Sequence, residues 1–500
     1  MAAPGGGSRG WRAGNPRGRG GRAGAGGARA GGGLGAAARL LGLAAAAGLA
    51  LLLLAGRGLP LPRPAWAPGA GPGGVFEGRP GGDPPVVAGE VAREAYTVVM
   101  DAGSTGSRVH IFRFRKQGGS FELVSDTFHQ LKPGLSAFAG DPQAAAGSLE
   151  PLLERAAEAV PAELRAGTNL ELRATAGLRL LPGAQADDIL EAVRGRFAAS
   201  PFHSSRDDVS ILDGSDEGAY MWLTMNYLLG NLEKGYAGTV GSIDLGGGSV
   251  QQAYALSDTS AAQAPPGYVQ RVRAGDHAYN VYVHSYLGHG LMAGRAGVFE
   301  SGSRRGAVSP CLPSGFSGEY LYAGKAHTVE GPSTQGGAEA CAADVRLSLR
   351  QDAACGVEAQ CSFGGAWGGG GGEGAKTMYL TSYFFDRAVE TGLVPESATS
   401  ARIRPADFRS KAEAVCRVAW AGPADVRQRF PDVEEDHAPY VCLDLTFISS
   451  LLVDGFKINA MSELVVVKQF LYEGLLFESA WPLGAAINTL SGSNKVGLLN

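Results

Sequence analysis

The chain has 500 residues, 45% hydrophobic and 18% charged, with a formal net charge of −4. That length gives two to three domains, the apolar content excludes a disordered bulk, and the sparse charge argues against a nucleic-acid binder that works through a basic surface. The balance hides two parts. The first 79 residues hold ten Arg and one acid, Glu77, a net of +9, and the remainder carries −13. An acidic body that handles polyanions needs a divalent metal to offset repulsion.

Residues 1–39 form a Gly/Arg-rich head with seven Arg and no acid. Leu40 to Gly56 then runs without a charge. As helix it would span roughly 25 Å, near the ~30 Å of a hydrocarbon core. The Arg excess before this run places the head in the cytosol and the body across the membrane. The expectation is a single-pass type II membrane protein of the secretory pathway, in the Golgi or at the cell surface, with a lumenal or extracellular body. A cleaved signal peptide or an organelle transit peptide competes with this reading; Ala55-Gly56-Arg57 makes a poor cleavage site. Residues 57–90, with eight Pro and many Gly, read as a stalk without a packed core.

The first strand of the body is expected at Tyr96–Met100, ending at Asp101. A turn, Ala102-Gly-Ser-Thr-Gly-Ser107, leads to a return strand, Arg108–Phe114. The pattern repeats 143 residues later. A strand, Gly238–Ile243, ends at Asp244. Its turn is Leu245-Gly-Gly-Gly-Ser249, and the return strand is Val250–Leu256. Such a repeat suggests a duplicated domain pair with facing loops. Between the two copies, Leu170–Ala174 reads as a strand running into Thr175-Ala-Gly177. Val209–Leu212 is a further strand, followed by a helix Asp216–Leu229 capped by Ser215. Strands alternating with helices predict an α/β protein with mixed sheets. Gly368–Gly372, after Trp367, reads as a mobile loop. Pro405–Pro431 and Tyr440–Leu452 read as mostly helical, and so does Glu473–Leu490, interrupted at Ala480–Gly484.

Six cysteines, Cys311, Cys341, Cys355, Cys361, Cys416 and Cys442, all lie in the second half. None forms a Cys-x-x-Cys pair or stands at zinc spacing with His. In an oxidising compartment they make three disulfides. Fifteen connectivities are open, of which sequential pairing is the simplest. No Asn-x-Ser/Thr acceptor occurs, so N-glycosylation is not expected.

The turn chemistry points to phosphate. Glycines let backbone N–H groups approach closely, and hydroxyls add donors. Two opposed tips, Ser104, Thr105, Gly106 and Ser107 against Gly246, Gly247, Gly248 and Ser249, can clamp a polyphosphate. Asp101 and Asp244 would converge, and two adjacent carboxylates need a shared proton or a cation. Hydrated Mg2+ or Ca2+ suits one or two carboxylates with substrate phosphates. Glu217, at a helix start beside a glycine turn, can deprotonate a water, and Thr175 can hydrogen-bond that water or the metal shell. No Ser/His or Cys/His pairing suggests a covalent intermediate, so direct in-line attack by water is preferred.

Five segments carry a family resemblance. They are Asp101-Ala-Gly-Ser-Thr-Gly-Ser-Arg108, Leu172-Arg-Ala-Thr-Ala-Gly-Leu178, Asp213-Gly-Ser-Asp-Glu-Gly-Ala-Tyr-Met-Trp222, Ile243-Asp-Leu-Gly-Gly-Gly-Ser-Val-Gln251 and Ala480-Trp-Pro-Leu-Gly484. In order and content they resemble the five motifs of the apyrases (nucleoside triphosphate diphosphohydrolases), most like the plant type. The resemblance covers residues 95–490. It implies an actin-like, duplicated ribonuclease-H-type α/β fold, with an active-site cleft between lobes 91–235 plus 472–500 and 236–471. It implies Ca2+- or Mg2+-dependent hydrolysis of nucleoside tri- and diphosphates to the monophosphate, with no obligate protein partner. Carried over by motif, Glu217 is the base. Ser104, Thr105, Gly247, Gly248 and Ser249 bind phosphate, and Asp101, Thr175, Asp244 and Gln251 hold the hydrated metal or the nucleophile. Cys355–Cys361 and Cys416–Cys442 follow as short bridges, leaving Cys311–Cys341. Tyr383, Phe384 and Phe385 are candidates for base stacking, and Asp386 stands where animal members carry Tyr.

Rival readings are a sugar kinase or chaperone-like ATPase on the same fold, a non-enzymatic nucleotide-binding or lectin-like module, an exopolyphosphatase, and a diphosphate-selective phosphatase of the secretory pathway. The cysteines and anchor count against the first. The presence of Glu217 and both turn aspartates counts against the second.

Overall fold

A computed structural model describes residues 93–499, apart from 118–119, 233, 275–276, 303–305, 335, 357–360, 371–376 and 492–496. The expected head, apolar run and stalk lie outside the described residues, as do Gly371 and Gly372 of the glycine run. The chain separates after Val86, and the unit Val87–Asn500 holds everything described below.

That unit is built on two mixed sheets. The first is ordered β3-β2-β1-β4-β5, from strands Arg93–Ala102 (β1), Ser107–Gln117 (β2), Ser120–Leu131 (β3), Asn169–Ala174 (β4) and Val209–Ile211 (β5). β1 and β3 pair antiparallel with β2, whereas β4 and β5 run parallel to β1. β1 is buried on both faces because apolar side chains alternate. Val98 and Met100 meet helices Glu150–Ala159 (α1) and Gln185–Ala198 (α2) on one side, and Val99 points to the other.

The second sheet repeats this plan. Its strands include Gly241–Leu245 (β6), Ser249–Leu256 (β7), Val269–Ala274 (β8) and His277–Leu287 (β9), and later Met378–Ser382 (β12), Ser400–Ile403 (β13), Leu464–Val467 (β14) and Gly497–Leu499 (β17). A separate hairpin, Ser317–Tyr322 (β10) and Lys325–Glu330 (β11), comes between. The order is β13-β14-β12-β6-β7-β9-β8-β17. β6, β7 and β9 form an antiparallel meander, and β12 and β14 run parallel to β6. The core β9-β7-β6-β12-β14 thus matches β3-β2-β1-β4-β5 strand for strand, and the duplication expected from the repeated hairpins is present in topology.

Between the sheets lie helices Gly214–Leu228 (α3) and, near the C terminus, Pro482–Ser491. Trp222, Met225 and Leu228 of α3 pack with Val99 and Phe112 of the first sheet and Ala253 and Val281 of the second. This shared core sets the spacing of the two halves. A third core buries the far face of the second sheet under helices Leu291–Ser301 (α4), Ala338–Leu349 (α5), Tyr383–Glu390 (α6), Pro405–Val415 (α7) and Val441–Ser450 (α8). The long apolar stretch Ala438–Gly455 belongs to this core and is mostly buried. All three disulfides, Cys311–Cys341, Cys355–Cys361 and Cys416–Cys442, occur in this half.

Several local expectations are corrected. Asp213, not Ser215, caps α3: its carboxylate accepts from Ser215 N at 2.8 Å and Ser215 Oγ at 2.6 Å. The expected strand at Gly238–Ile243 begins only at Gly241, after a 3-10 turn at Tyr236–Gly238. The helix expected across Pro405–Pro431 ends at Val415, and a second one, Pro423–Arg429, starts only after Gly422 (φ 110°). Before Pro482 there is no helix but a hairpin, Gln469–Tyr472 (β15) and Leu475–Glu478 (β16). Its two-residue turn, Glu473-Gly474, has positive φ at both positions, which suits the twist of the flanking strands. Strand β17 pairs with β8 in the second sheet, not in the first lobe where the sequence placed residues 472–500.

Candidate active site

The two glycine turns are built alike. In the first, Gly103 N donates to Gly106 O at 3.0 Å; in the second, Gly246 N donates to Ser249 O at 3.0 Å. Asp101 stands opposite Arg108 in its hairpin, and Asp244 stands opposite Gln251 in the same register. The turns also meet. A Cβ built on Gly247 would lie 2.4 Å from Ser104 Oγ, and one on Gly177 would lie 2.7 Å from Ser104 Cα. The Gly177 contact is with backbone that cannot rotate aside, so glycine there is a requirement of close approach. A cleft of about 360 Å3 opens between the turns, with Asp101, Ser104, Thr105, Thr175, Glu217, Asp244 and Gly246–Ser249 on its wall.

Glu217 sits in the first turn of α3, aimed between the hairpins. Its Oε2 accepts from Arg179 Nη2 at 2.5 Å and from Gln251 Nε2 at 3.1 Å. Burial is the main force on this carboxyl. Arg179 opposes it, Asp244 and Asp101 reinforce it, and the pKa is pushed up to about 8. Burial also raises Asp101, against the attraction of Arg108, whose Nη1 donates to Oδ2 at 3.2 Å. Burial raises Asp244 too, against hydrogen bonds from Ser382 Oγ (2.6 Å) and Thr381 Oγ1 (2.9 Å).

Three carboxyls thus share a buried space with two guanidinium groups. Asp101 Oδ1 and Gln251 Oε1 are buried there with no protein partner. Two orphaned oxygens and an excess of acid fit a hydrated divalent cation, an oxygen-loving ion that retains waters. Asp101, Asp244 and, through a water, Gln251 are the residues that would hold it.

Some predicted site residues fall elsewhere. Gly106 only closes its turn: a Cβ there would lie 2.7 Å from Leu131 O. Ser107 is buried at the foot of β2 and does not reach the cleft wall. Gln251 is buried beneath Glu217 and also touches Ser249 Oγ (2.7 Å) and Ser285 Oγ (3.0 Å). Of the aromatic trio, Tyr383 and Phe385 line the cleft, but Phe384 is fully buried in the second-sheet core. Phe384 cannot face a nucleobase, because α6 turns it toward α8 and the sheet. Asp386 lines the cleft two residues on from it.

The sequence reading missed Arg179, Arg108, Thr381 and Ser382. Both arginines stand in or next to quoted motifs, and that placement was the available signal. Thr381 and Ser382 reach Asp244 only because β12 lies parallel to β6, with Thr381 opposite Asp244. No local pattern carries that. Lys132 and Glu434, from opposite sides of the cleft mouth, pair at 3.1 Å.

Against known families, residues 89–497 match the GDA1/CD39 (nucleoside phosphatase) family. The chain belongs to this family. It is 44% identical to an apyrase of Solanum tuberosum over 81% of this chain and 89% of that protein. It is 39% identical to a nucleoside-triphosphatase of Pisum sativum (80% and 89%) and 35% identical to ectonucleoside triphosphate diphosphohydrolase 6 of Homo sapiens (80% and 78%). Among solved structures, nucleoside triphosphate hydrolase from Neospora caninum superposes with a TM-score of 0.57 at 15% identity, covering 81% of this chain and 94% of that one. The likeness is one of fold, the duplicated actin-like α/β architecture that this nucleoside phosphatase family shares.

Proposed function

We propose that the protein hydrolyses nucleoside tri- and diphosphates to the monophosphate and phosphate, with Glu217 as the general base. The observation that carries this reading is the convergence of Glu217 on the space between the Ser104 and Gly247 turns, which approach within van der Waals contact. Backbone N–H groups and hydroxyls of both turns bind the phosphates. Gln251 and Arg179 hold the Glu217 carboxylate in one orientation. Glu217 accepts a proton from water as the water oxygen attacks the terminal phosphorus in line; the bond to the bridging oxygen breaks, and the nucleotide shortened by one phosphate departs on the opposite face. Asp101 and Asp244 would hold a hydrated divalent cation, Ca2+ or Mg2+, which would neutralise phosphate charge when bound. Tyr383 and Phe385 are the aromatic surfaces available to a base, and the lobes 91–235 plus 472–500 and 236–471 supply the two walls.

The charge asymmetry of the N-terminal sequence supports a type II orientation in the secretory pathway, anchored by residues 40–56. Three disulfides fit a lumenal body. Phosphate release by the purified protein, across nucleotides with Mg2+, Ca2+ or EDTA, tests the activity. The reading requires release from both ATP and ADP and its loss in EDTA; release from neither overturns it. Protease added to intact microsomes tests the orientation: removal of the head alone fits it, and digestion of the body opposes it.

A further inference from the structure

Each glycine turn is backed by a further glycine, and the two make the same contacts. β3 ends at Leu131, and β9, its counterpart in the second sheet, ends at Leu287. Both strand ends open the same pattern, Leu131-Lys-Pro-Gly-Leu135 and Leu287-Gly-His-Gly-Leu291. A Cβ built on Gly134 would lie 2.3 Å from Gly103 O, 3.0 Å from Gly106 N and 3.2 Å from Ser104 C. One built on Gly290 would lie 2.6 Å from Gly246 O, 2.4 Å from Ser249 N and 2.5 Å from Gly247 C. These are the same three backbone atoms in each copy of the repeat, 143 residues apart.

Backbone conformation does not call for glycine at either position. Gly134 (φ −74°, ψ 165°) and Gly290 (φ −67°, ψ 168°) are alike, in the extended region open to any residue. What excludes a side chain is the turn itself, because backbone atoms at these distances cannot rotate aside. Each glycine also starts a helical segment, Leu135–Phe138 after Gly134 and α4 after Gly290. The leucine that follows each of them is fully buried. The glycine is thus carried on a chain anchored in its own half.

In the second copy this brace also orients the peptides. Leu291 N donates to Gly246 O at 2.9 Å, and Ala293 N donates to Gly247 O at 3.0 Å. In a trans peptide the N–H points opposite to the C=O of the preceding residue. With both carbonyls taken up by α4, the N–H groups of Gly247 and Gly248 are directed to the other side. Gly247 and Gly248 line the cleft, whereas Gly134 and Gly290 do not. We infer that Gly134 and Gly290 are positioning residues for the reaction, each setting from behind how the turn of its half meets the phosphates. This inference rests on the phosphate-binding role proposed above for the turns.

The test compares Gly134→Ala and Gly290→Ala with two controls on the same segments, Gly140→Ala and Gly297→Ala. Nothing lies within 4 Å of a Cβ on Gly140, and the nearest atom outside its own helix to one on Gly297 is Ser348 Cβ at 3.9 Å. Each purified full chain is measured in Mg2+ for kcat and KM with ATP, for Tm without ligand, and for the rise in Tm on adding imidodiphosphate, a non-hydrolysable diphosphate. Positioning requires both brace variants to keep the ligand-free Tm, to lose about 10²-fold in kcat/KM and to lose the imidodiphosphate rise. Both controls should keep wild-type values. Wild-type kcat/KM in either brace variant overturns the inference, as does an equal loss in the controls. Loss of the fold in the brace variants also overturns it, because the glycines would then be structural only. A wild type that releases no phosphate from ATP refutes the hydrolase reading, and the imidodiphosphate rise then still decides the brace. No such rise in the wild type overturns the inference as well.

Discussion

Arg179 Nη2 lies 2.5 Å from Glu217 Oε2, both side chains being largely buried. The contact is possible because Gly214, at the start of α3, has no side chain: a Cβ there would lie 2.4 Å from Arg179 Nη1. A charged donor on the Glu217 carboxylate orients it and favours its ionised form, while burial favours the protonated one. Replacing Glu217 by Gln keeps the volume and removes the proton acceptor. Glu217→Gln should keep nucleotide binding and lose about 10²–10⁴-fold in kcat. Near-normal kcat in this variant would refute the assignment.

The same carboxyl makes a stability prediction. In the cation-free protein Glu217 titrates near 8, against an ordinary value of 4.5. Below 4.5 both folded and unfolded chains hold the proton. Between 4.5 and about 8 only the folded chain does, so this group lowers stability progressively as pH rises. Glu217→Gln should therefore raise the Tm in EDTA at pH 8 and change it little at pH 4.5. An equal shift at both pH values would mean that the carboxyl is not held protonated by burial.

Asp101 and Asp244 bear on one centre from two hairpins. Asp101→Ala and Asp244→Ala should each move half-activation to higher Mg2+ or Ca2+. The double variant should lose less than the product of the two, since both act on one ion shell. Titration of phosphate release against cation decides it, and fully multiplicative losses would separate the two loops.

What was legible in the sequence is what is local. Each Asp-glycine-hydroxyl turn is contained within a few residues, and the repeat at a spacing of 143 betrays the duplication. Glu217 was legible for the same reason, standing in the first turn of the helix just after the Asp213-Gly-Ser215 turn. Ser382 was not, because it reaches Asp244 across a parallel strand pair 138 residues away in sequence. The Tyr383-Phe384-Phe385 run shows the limit of composition. Three aromatic residues on a helix point about 100° apart, and only packing on the second sheet decides which is core. The C-terminal hairpin was misread as helix because Leu475, Leu476 and Phe477 also fit a helical face. The turn at Glu473-Gly474 was the signal that separates the two.

The approach of the turns can be tested with one methyl group. Gly177→Ala would place Cβ 2.7 Å from Ser104 Cα, which is backbone and cannot rotate aside. The first turn must shift, and misplacement of about 1 Å in a positioning group can cost about 10²-fold. Gly177→Ala should thus lose about that factor in kcat/KM for ATP. Gly195, inside α2, has nothing within 4 Å of its virtual Cβ. Gly195→Ala should keep activity and gain up to about 1 kcal/mol. Equal behaviour of the two variants would argue against the turns as a clamp.

The last prediction concerns the disulfides. Cys416 ends α7 and Cys442 opens α8, so their bridge, 26 residues apart in sequence, ties two packed helices together. Cys355 and Cys361 are six apart. In the chain-entropy model a bridge of the longer kind stabilises by about 3 kcal/mol, through the unfolded freedom it removes. The shorter loop restricts ends that are already near each other, so it contributes less. Both Cys416 and Cys442 are buried, and removing their bridge also leaves two packed sulfurs to be replaced by hydroxyls without assured partners. Cys416→Ser/Cys442→Ser should therefore lower the Tm further than Cys355→Ser/Cys361→Ser, as measured by thermal unfolding of the purified proteins at one pH and cation concentration. Peptide mapping of the unreduced protein should find no free thiol. Free Cys416 or Cys442, or a larger loss from the short loop, would overturn the assignment of the long bridge as the main staple of the second half.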